Sequence, residues 1–481
     1  MVKNLEELFI QSKNPSIVWI TAKFIEDKIG GQYYSTDYIE YERILNTNKL
    51  TVLKDVVFEY NGGPMGFQLH SYDYVDQGIP VLRTKDMKEL TIILDDPIFI
   101  LREKHNELKG SKTYSGDIII SKTGQIGVVA VVPKTLSEAN LNQALCNIRV
   151  KESVIDNYFL VVFLNSKYCQ YQFIRQGEGK AVQNGLTKDE ILDLRIPVIS
   201  SEIQKYIGDK VRKAEELREE AKRLKKEAEE TIYKKLGNIE LEDEKNYTVN
   251  FIKEKDIFER IDSEYYKEKY FRLQKQLESK GFVLKTLDKL CDSNIYNGKT
   301  YKTTNEKRKY MNIGVGELGD WFIVGNEDKY IDENISTKHL IDKYSIVWGN
   351  SAHLAKYIGE KVNINLEMSL YVPTTEITCI KPNLDKINQY YLFLYMKSNW
   401  GYYQIQRTVK GMTAHSYPQD ISRIIVPILD FNFEELDIMK NAVELGYNYI
   451  NKSKQLIKEA KQDVEDLIEG NFDMSKIKIN N

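Results

Sequence analysis

The residues of this chain best suited to chemistry lie in four short loops. The stretch "SKTGQIG" at 121–127 sets Lys122, Thr123 and Gln125 among Gly124 and Gly127, between two apolar runs that read as strands. Gln and Thr can address the edges of nucleic-acid bases, and a lysine can neutralise a phosphate. The plainer alternative is a hairpin with a solvated tip. Farther on, "WGNSAHLAK" at 348–356 offers Asn350, Ser351, His353 and Lys356 in a similar setting with different chemistry. The loop "GEGKAVQNGL" at 177–186 carries Lys180, Gln183 and Asn184, and "VKGMTAHSYP" at 409–418 carries Lys410, Thr413 and His415. Each holds a Gly-Lys or Lys-Gly pair, which suits backbone amides and a cation approaching phosphate, or else simply a connecting loop. Arg83 and Lys85 in "LRTKDM" form a local basic patch, as do Lys299, Lys302, Lys307, Arg308 and Lys309 in "GKTYKTTNEKRKY", where tyrosines are interleaved. A solvated face is the alternative for both.

Other chemistries find less support. The four cysteines, Cys146, Cys169, Cys291 and Cys379, stand apart, with no CxxC pair and no histidine at zinc-ligand spacing, and read as reduced core residues. His70, His105 and His339 are isolated. "SNIYNGKT" at 293–300 has Ser293 where a phosphate-binding loop needs its first glycine, so nucleotide binding is not expected there. No Asn-Pro-Pro-Tyr methyltransferase signature, no GxGxxG after a strand and no carboxylate-lysine nuclease cluster is visible. Neither metal nor cofactor is expected on this chain. No run approaches the roughly 20 apolar residues of a membrane span, and "MVKNLEELFI" lacks the layout of a signal peptide, so the expectation is a cytoplasmic protein with no membrane partner. The net charge of −3 supplies no global attraction to a polyanion; any nucleic-acid contact must come from local patches.

The elements that position these loops occur twice. Sliding the chain by about 232 residues sets "WITAKFIEDKIGGQYY" (19–34) on "FIKEKDIFERIDSEYY" (251–266) and "FLVVFLNS" (159–166) on "YLFLYMKS" (391–398). The same offset places Arg175 on Arg407 and Tyr33-Tyr34 on Tyr265-Tyr266. In each half a Gly-rich, Val/Ile-alternating block leads to a strand-loop-strand run, then a helix around 157–175 or 389–407, a Gly/Lys loop, a strand ending at Pro197 or Pro427, and a long closing helix. With 481 residues, two or three domains are expected.

The closing helices are predicted near 202–236 and 434–469. Leu436, Met439, Val443, Gly446, Ile450, Ser453, Ile457, Ala460, Val464 and Leu467 keep the 3-4 spacing of a coiled-coil seam. Ile207, Val211, Ala214, Leu217, Ala221, Leu224 and Ala228 trace a comparable stripe. The reading is an α+β chain: two tandem-duplicated α/β domains joined by two long antiparallel coiled-coil helices with pseudo-two-fold symmetry. The expected boundaries are 1–200 for the first domain, 201–238 for its helix, 239–430 for the second domain with 239–258 as connector, 431–470 for the second helix and 471–481 for a tail.

The residues "ERIDSEYY" (259–266), "LRTKDM" (82–87), "SKTGQIGVVAVVP" (121–133) and "GEGKAVQNGLTKDEILDLRIPV" (177–198), each followed by its part of the repeated frame, resemble the specificity (S) subunits of type I restriction-modification systems. The resemblance implies two target-recognition domains, each reading one half of a bipartite site in double-stranded DNA. It implies helices that set the spacing and dock two methyltransferase (M) subunits, here through Leu217, Leu224, Leu436, Val443, Ile450 and Ile457. It also implies that this chain is not an enzyme: S-adenosylmethionine would sit on the methyltransferase partners, and restriction (R) subunits are a further partner class. Two departures stand out. "IGGQYY" lacks the carboxylates of "IDSEYY", and Gln204 after the first proline has Leu436 as its counterpart. A coiled-coil interaction scaffold without DNA reading stays open as the alternative, with an enzyme of unrecognised site behind it.

Overall fold

The computed structural model describes residues 32–177, 185–239, 252, 257, 260–292, 295–326, 328–336, 339–368 and 370–478. The chain divides into two compact units, Met1–Glu219 with Ile450–Asn481, and Glu220–Tyr449. The division runs through both long helices, so each unit holds half of each, whereas the expected boundaries set the helices apart from the domains.

In the first unit a six-stranded sheet has the order Val57–Gly62, Leu145–Val150, Ile118–Ser121, Val129–Val131, Thr91–Ile92, Met87–Lys88. A five-stranded sheet runs Tyr74–Val75, Phe99–Ile100, Ile79–Leu82, Glu138–Leu141, Lys112–Tyr114. The central strands are all buried and all apolar or nearly so, as in Ile118–Ser121, because both of their faces are covered. The second unit repeats this in shorter form. One sheet runs Tyr296–Asn297, Ile377–Ile380, Ile346–Gly349, Asn363–Ile364, and another Thr303–Thr304, Tyr330–Ile331, Met311–Ile313, Tyr371–Pro373. The mixed helix-and-sheet class is as expected.

Backbone bonds follow the repeat more closely than side chains do. The Leu53 N–H donates to the Leu194 carbonyl at 2.8 Å, and Leu287 to Ile424 at 3.0 Å. Asn142 donates to Leu82 at 3.0 Å, and Thr374 to Ile313 at 2.8 Å. The Arg83 amide is held by the Asp86 carboxylate at 2.9 Å, and the Gly314 amide by Glu317 at 2.8 Å. Arg175 lies over the Tyr33 ring at 4.1 Å, and Arg407 over Tyr265 at 4.4 Å, so the residues matched by the sequence offset meet in space in both units.

Three expectations need correction. The single short helix of each half is two helices, Asn157–Leu164 with Lys167–Gly177, and Gln389–Lys397 with Asn399–Thr408. The break falls at Ser166 and Ser398, whose hydroxyls donate to the carbonyls of Phe163 at 2.7 Å and Tyr395 at 2.6 Å, so the backbone leaves the helix there. Pro197 ends its strand, Arg195–Pro197, as expected, whereas Pro427 does not: Ile425–Ile428 runs one residue past it. The two prolines pair with Leu50 and Leu284 in two-stranded ladders, where an outer edge needs no donor and a proline is tolerated. Finally, in the second half Ile346–Gly349 pairs with Asn363–Ile364, while the following Ser351–Ala352 leaves that sheet to pair with Ala414–His415.

The long helices span Ser201–Leu236 and Phe433–Glu469, within a residue of the seam pattern. In the first unit Tyr206 packs edge-on to Phe472 and Lys210 binds Asp463 at 2.5 Å, an antiparallel crossing of their two segments. There Ile207, Val211 and Ala214 share one core with Ile457, Ala460, Val464 and the helix Asn157–Leu164. In the second unit Leu224, Ala228 and Ile232 share a core with Met439, Ala442, Val443 and the helix Gln389–Lys397. Leu224, Val443 and Ile457 were expected to dock partner subunits; they are buried inside the chain's own core and cannot. Leu436 packs partly against the same core, and Leu217 and Ile450 are half-buried.

Candidate nucleic-acid interface

Hydrogen bonding fixes the loop at 122–127 before any partner arrives. Ile118–Ser121 and Val129–Val131 form the hairpin that the sequence predicts. The Ser121 hydroxyl accepts the Val128 N–H at 2.9 Å and donates to the Gln125 carbonyl, and the Gly127 N–H donates to the Ser121 carbonyl at 2.9 Å. Lys122 then joins three strands of chain: its N–H donates to the Ala144 carbonyl at 2.9 Å, and its carbonyl accepts the Leu186 N–H at 2.8 Å. The same junction recurs at Asn350, whose N–H donates to Glu376 and whose carbonyl accepts the Ser416 N–H, both at 2.8 Å. In each unit, therefore, the end of the late Gly/Lys loop is bonded to the early one. The four stretches that sequence reading weighs separately form two platforms.

Charge is distributed with the same regularity. No Asp or Glu occurs between residues 118 and 137, or between 343 and 359, or between 401 and 419, in a chain with 71 acidic residues. Lys122 is half-buried and makes no ion pair among the described residues, its ammonium lying near Gly62. Thr123 is half-buried beside Gly185, and Gln125 is exposed, with its amide free of the hairpin's own bonds. In the second unit Ser351 and His415 face each other in the two-stranded ladder, while His353, Lys356 and Thr413 are exposed. His415 also lies beside the Tyr417 ring, and the Lys356 ammonium over that of Tyr357.

Other candidates are placed differently. Asn350 is buried, with its amide donating to the Thr375 carbonyl at 3.1 Å; it holds the loop's backbone and presents nothing to a base. Arg83 is drawn onto the buried Asp86 at 3.1 Å and onto the Asp96 carbonyl, which fixes a short turn. Lys85 binds Asp96 at 2.7 Å and holds that carboxyl below its usual range, but both are exposed and the pair is weak enough to exchange for phosphate. Arg308 is shared between Glu306 and Asp332, and Lys410 binds the buried Asp420 at 2.8 Å. Lys299, Lys302 and Lys307 are exposed. Lys180, Gln183 and Asn184 lie outside the described residues.

The platforms are held by residues that sequence reading passes over. The Tyr158 hydroxyl donates to Glu215 of the first long helix at 2.9 Å, and Thr91 donates to the same carboxylate at 2.9 Å. Burial raises the Glu215 pKa despite those donors. In the second unit Tyr390, at the repeat position of Tyr158, donates to Glu444 of the second long helix, joined by Tyr344 at 2.9 Å. Gln204 accepts the Asp156 N–H at 2.8 Å and donates to the Ile199 carbonyl at 2.8 Å, tying the helix Asn157–Leu164 to the start of the long helix. Gln204 is thus an internal joint, and Leu436 fills the corresponding place by apolar packing. The offset of the repeat is the signal that could have found these pairs.

The four cysteines are buried and free, and burial raises their thiol pKa values, to about 11 at Cys146 and Cys379 and about 12 at Cys291. Among the described residues no cluster of three or more His, Cys, Asp or Glu could hold a metal ion, and no helix is long and apolar enough to cross a membrane.

Residues 48–230, which contain the whole first platform, match the family model described as type I restriction modification DNA specificity domain. This stretch of the chain is similar to such a domain. A protein of Methanocaldococcus jannaschii named as a type I restriction enzyme MjaX specificity subunit is 26% identical over 169 residues. That match covers 35% of this chain and spans only 36% of the relative's length. Among solved structures, the S subunit of a type I restriction-modification system from M. genitalium matches 89% of this chain and 97% of its own, at 12% identity and a TM-score of 0.45. The HsdS subunit of Thermoanaerobacter tengcongensis matches 88% and 97%, at 13% identity and a TM-score of 0.29. The resemblance to the specificity subunits of type I restriction-modification systems is borne out by the family model and the curated relative.

Proposed function

We propose that this chain is the sequence-reading subunit of a type I restriction-modification complex, with each unit addressing one half of a bipartite site in double-stranded DNA. The observation that carries this reading is the repeated platform. Matching backbone bonds at Lys122 and Asn350 hold two loops together in each unit, three of these four loops lack carboxylates, Glu178 being the exception, and their side chains differ between units. A repeated mount with different reading heads is what two unlike half-sites require. Lys122, Thr123 and Gln125 act in the first unit, and Ser351, His353, Lys356, Thr413 and His415 in the second. Lys85, Lys299, Lys302 and Lys307 contribute phosphate contacts. The 36- and 37-residue helices set the gap between half-sites. The chain carries no methylation chemistry; two methyltransferase subunits bring S-adenosylmethionine, and restriction subunits join the assembly.

The interaction-scaffold alternative loses ground because the seam it would use is occupied within the chain by Leu224, Val443 and Ile457. Methyltransferase docking then uses the exposed faces of the helices. The test is to co-express the chain with the methyltransferase encoded beside it and map methylated positions by single-molecule sequencing. A bipartite motif with a fixed gap, lost when the chain is deleted, is the expected result. A short continuous motif, or methylation unchanged by the deletion, would overturn the reading.

A further inference from the structure

The second platform ends in an apolar tip that base-edge reading leaves without a role. Lys410 and His415 exchange backbone hydrogen bonds at 2.8 and 3.0 Å, closing a tight turn whose Gly411 has φ +86°, a left-handed conformation natural only to glycine. Met412, at the head of that turn, is 107% exposed: its whole side chain stands in solvent. The ladder pairs Ser351 with His415 and Ala352 with Ala414, so it joins the loop that carries Leu354, two residues past Ala352, to the turn that carries Met412, two residues before Ala414. Leu354 is itself 53% exposed. Two long apolar side chains thus stand exposed on loops joined by one ladder, together with exposed His353, Lys356 and Thr413.

Scattered exposed apolar residues need no explanation. Two of them on loops joined by one ladder, one with its whole side chain in solvent, call for one, and their surroundings select the partner. Residues 343–359 and 401–419 contain no carboxylate, so the projection suits a polyanion and repels nothing acidic. On a polyanion, the apolar surface available to such a tip is the base stack.

We propose that Leu354 and Met412 form a wedge that presses into the base stack of the DNA held by the second unit and partly unstacks one base step. This rests on the reading of the chain as a DNA-recognition subunit. Side chains of this kind unstack steps at a cost of a few kcal/mol, so the wedge favours half-sites with a readily deformed step, adding selectivity without a base-edge hydrogen bond. Because neither residue is charged, its removal weakens binding without changing the salt dependence.

The test uses the complete complex with its methyltransferase subunits and duplexes carrying the motif found by methylation mapping, with 2-aminopurine replacing each adenine of the second half-site in turn. The expected result is a fluorescence rise at one position on binding, abolished by Met412→Gln with Leu354→Gln and kept by Met412→Leu. Affinity for the site should fall about tenfold in the double variant, with an unchanged slope of log affinity against log salt. Thermal melting of the variant checks that the exposed substitutions leave the fold intact. Binding with no fluorescence rise, or a rise that survives the double variant, overturns the wedge and leaves the DNA-reading function standing. Loss of affinity on replacing thymine by uracil, with no unstacking, would assign the pair to thymine methyl groups and also overturn it. If the wild-type complex does not bind the duplex at all, the recognition reading fails and the wedge falls with it.

Discussion

Truncating the first platform tests the separation of base reading from phosphate binding. Gln125→Ala removes an exposed amide whose own backbone is held by Ser121, and Lys122→Ala removes an ammonium while leaving both backbone bonds of residue 122 in place. Neither change opens the core, so melting temperature should stay within about 1 °C, the range of surface substitutions. A glutamine reading a base edge contributes about 1–3 kcal/mol, so Gln125→Ala should weaken binding roughly 5- to 150-fold, and only where the first half-site is intact. On a duplex whose first half-site is already scrambled, the same variant should behave as wild type. Lys122→Ala should lower affinity on every sequence and reduce the salt slope by about 0.9, so that its penalty shrinks about 3.5-fold between 50 and 200 mM salt. Fluorescence anisotropy with four duplexes, wild type and each half-site scrambled singly and together, at a series of salt concentrations, separates the two effects. Equal loss on all four duplexes for Gln125→Ala, or an unaltered slope for Lys122→Ala, would refute the assignment of those roles.

Further outcomes follow from the frame. Ile457→Ala opens a hole in the core shared with Ile207 and Val211 and should cost about 2–5 kcal/mol, whereas half-buried Ile450→Ala should cost under about 1; comparative thermal melts decide. Tyr344 adopts φ +67° where the first unit has Gly116 at +87°, a strain of about 1–2 kcal/mol offset by its bond to Glu444. Tyr344→Phe should therefore destabilise the second unit by about 1.5–3 kcal/mol, and Tyr344→Gly by less than the loss of both ring and bond would suggest, as read by chemical denaturation. Burial lowers the His105 pKa, despite the hydrogen bond of its ring to Asn140 and the Glu138 carboxylate 3.2 Å away. An unfolded histidine takes up a proton below about pH 6.5 while the folded one resists, so stability should be full above that pH and fall as pH drops through it. His105→Gln should flatten that decline in melts between pH 7.5 and 5.5; an unchanged decline would place its origin elsewhere.

What could be read in the sequence follows from how local each cause is. The long helices were legible to within a residue, because a 3-4 apolar spacing, like the proline and acidic turn before it, is written in consecutive residues. The hairpin at 118–131 was legible for the same reason. Asn350 was misjudged because its amide satisfies a carbonyl 25 residues away, at Thr375, and no neighbouring residue reveals that the side chain already has a partner. Arg83 shows a milder form of this, since Asp86 three residues on was visible as a partner but its burial was not. The seam was read correctly as apolar and wrongly as a docking surface, for periodicity states that a face is buried and not what buries it. Met412 escaped notice because a lone methionine in a glycine loop has meaning only once the ladder joins its loop to the one that carries Leu354.

The near-neutral charge of the chain and the lack of carboxylates in three of its four platform loops are two sides of one arrangement. A net charge of −3 gives no long-range pull toward DNA, so affinity from phosphate contacts must be modest and drawn from a few lysines. For a subunit that selects a site, this is favourable: phosphate contacts strengthen every sequence alike, and only the contacts that differ between sequences discriminate. On the proposed reading, drawing Arg83, Arg308 and Lys410 onto carboxylates keeps non-specific binding low while other lysines orient the duplex. The same logic makes the backbone bonds at Lys122 and Asn350 the invariant part of the repeat. A mount built from main-chain groups accepts any side chain, so on the proposed reading one half of the chain could change the sequence it reads without rebuilding the platform that presents it.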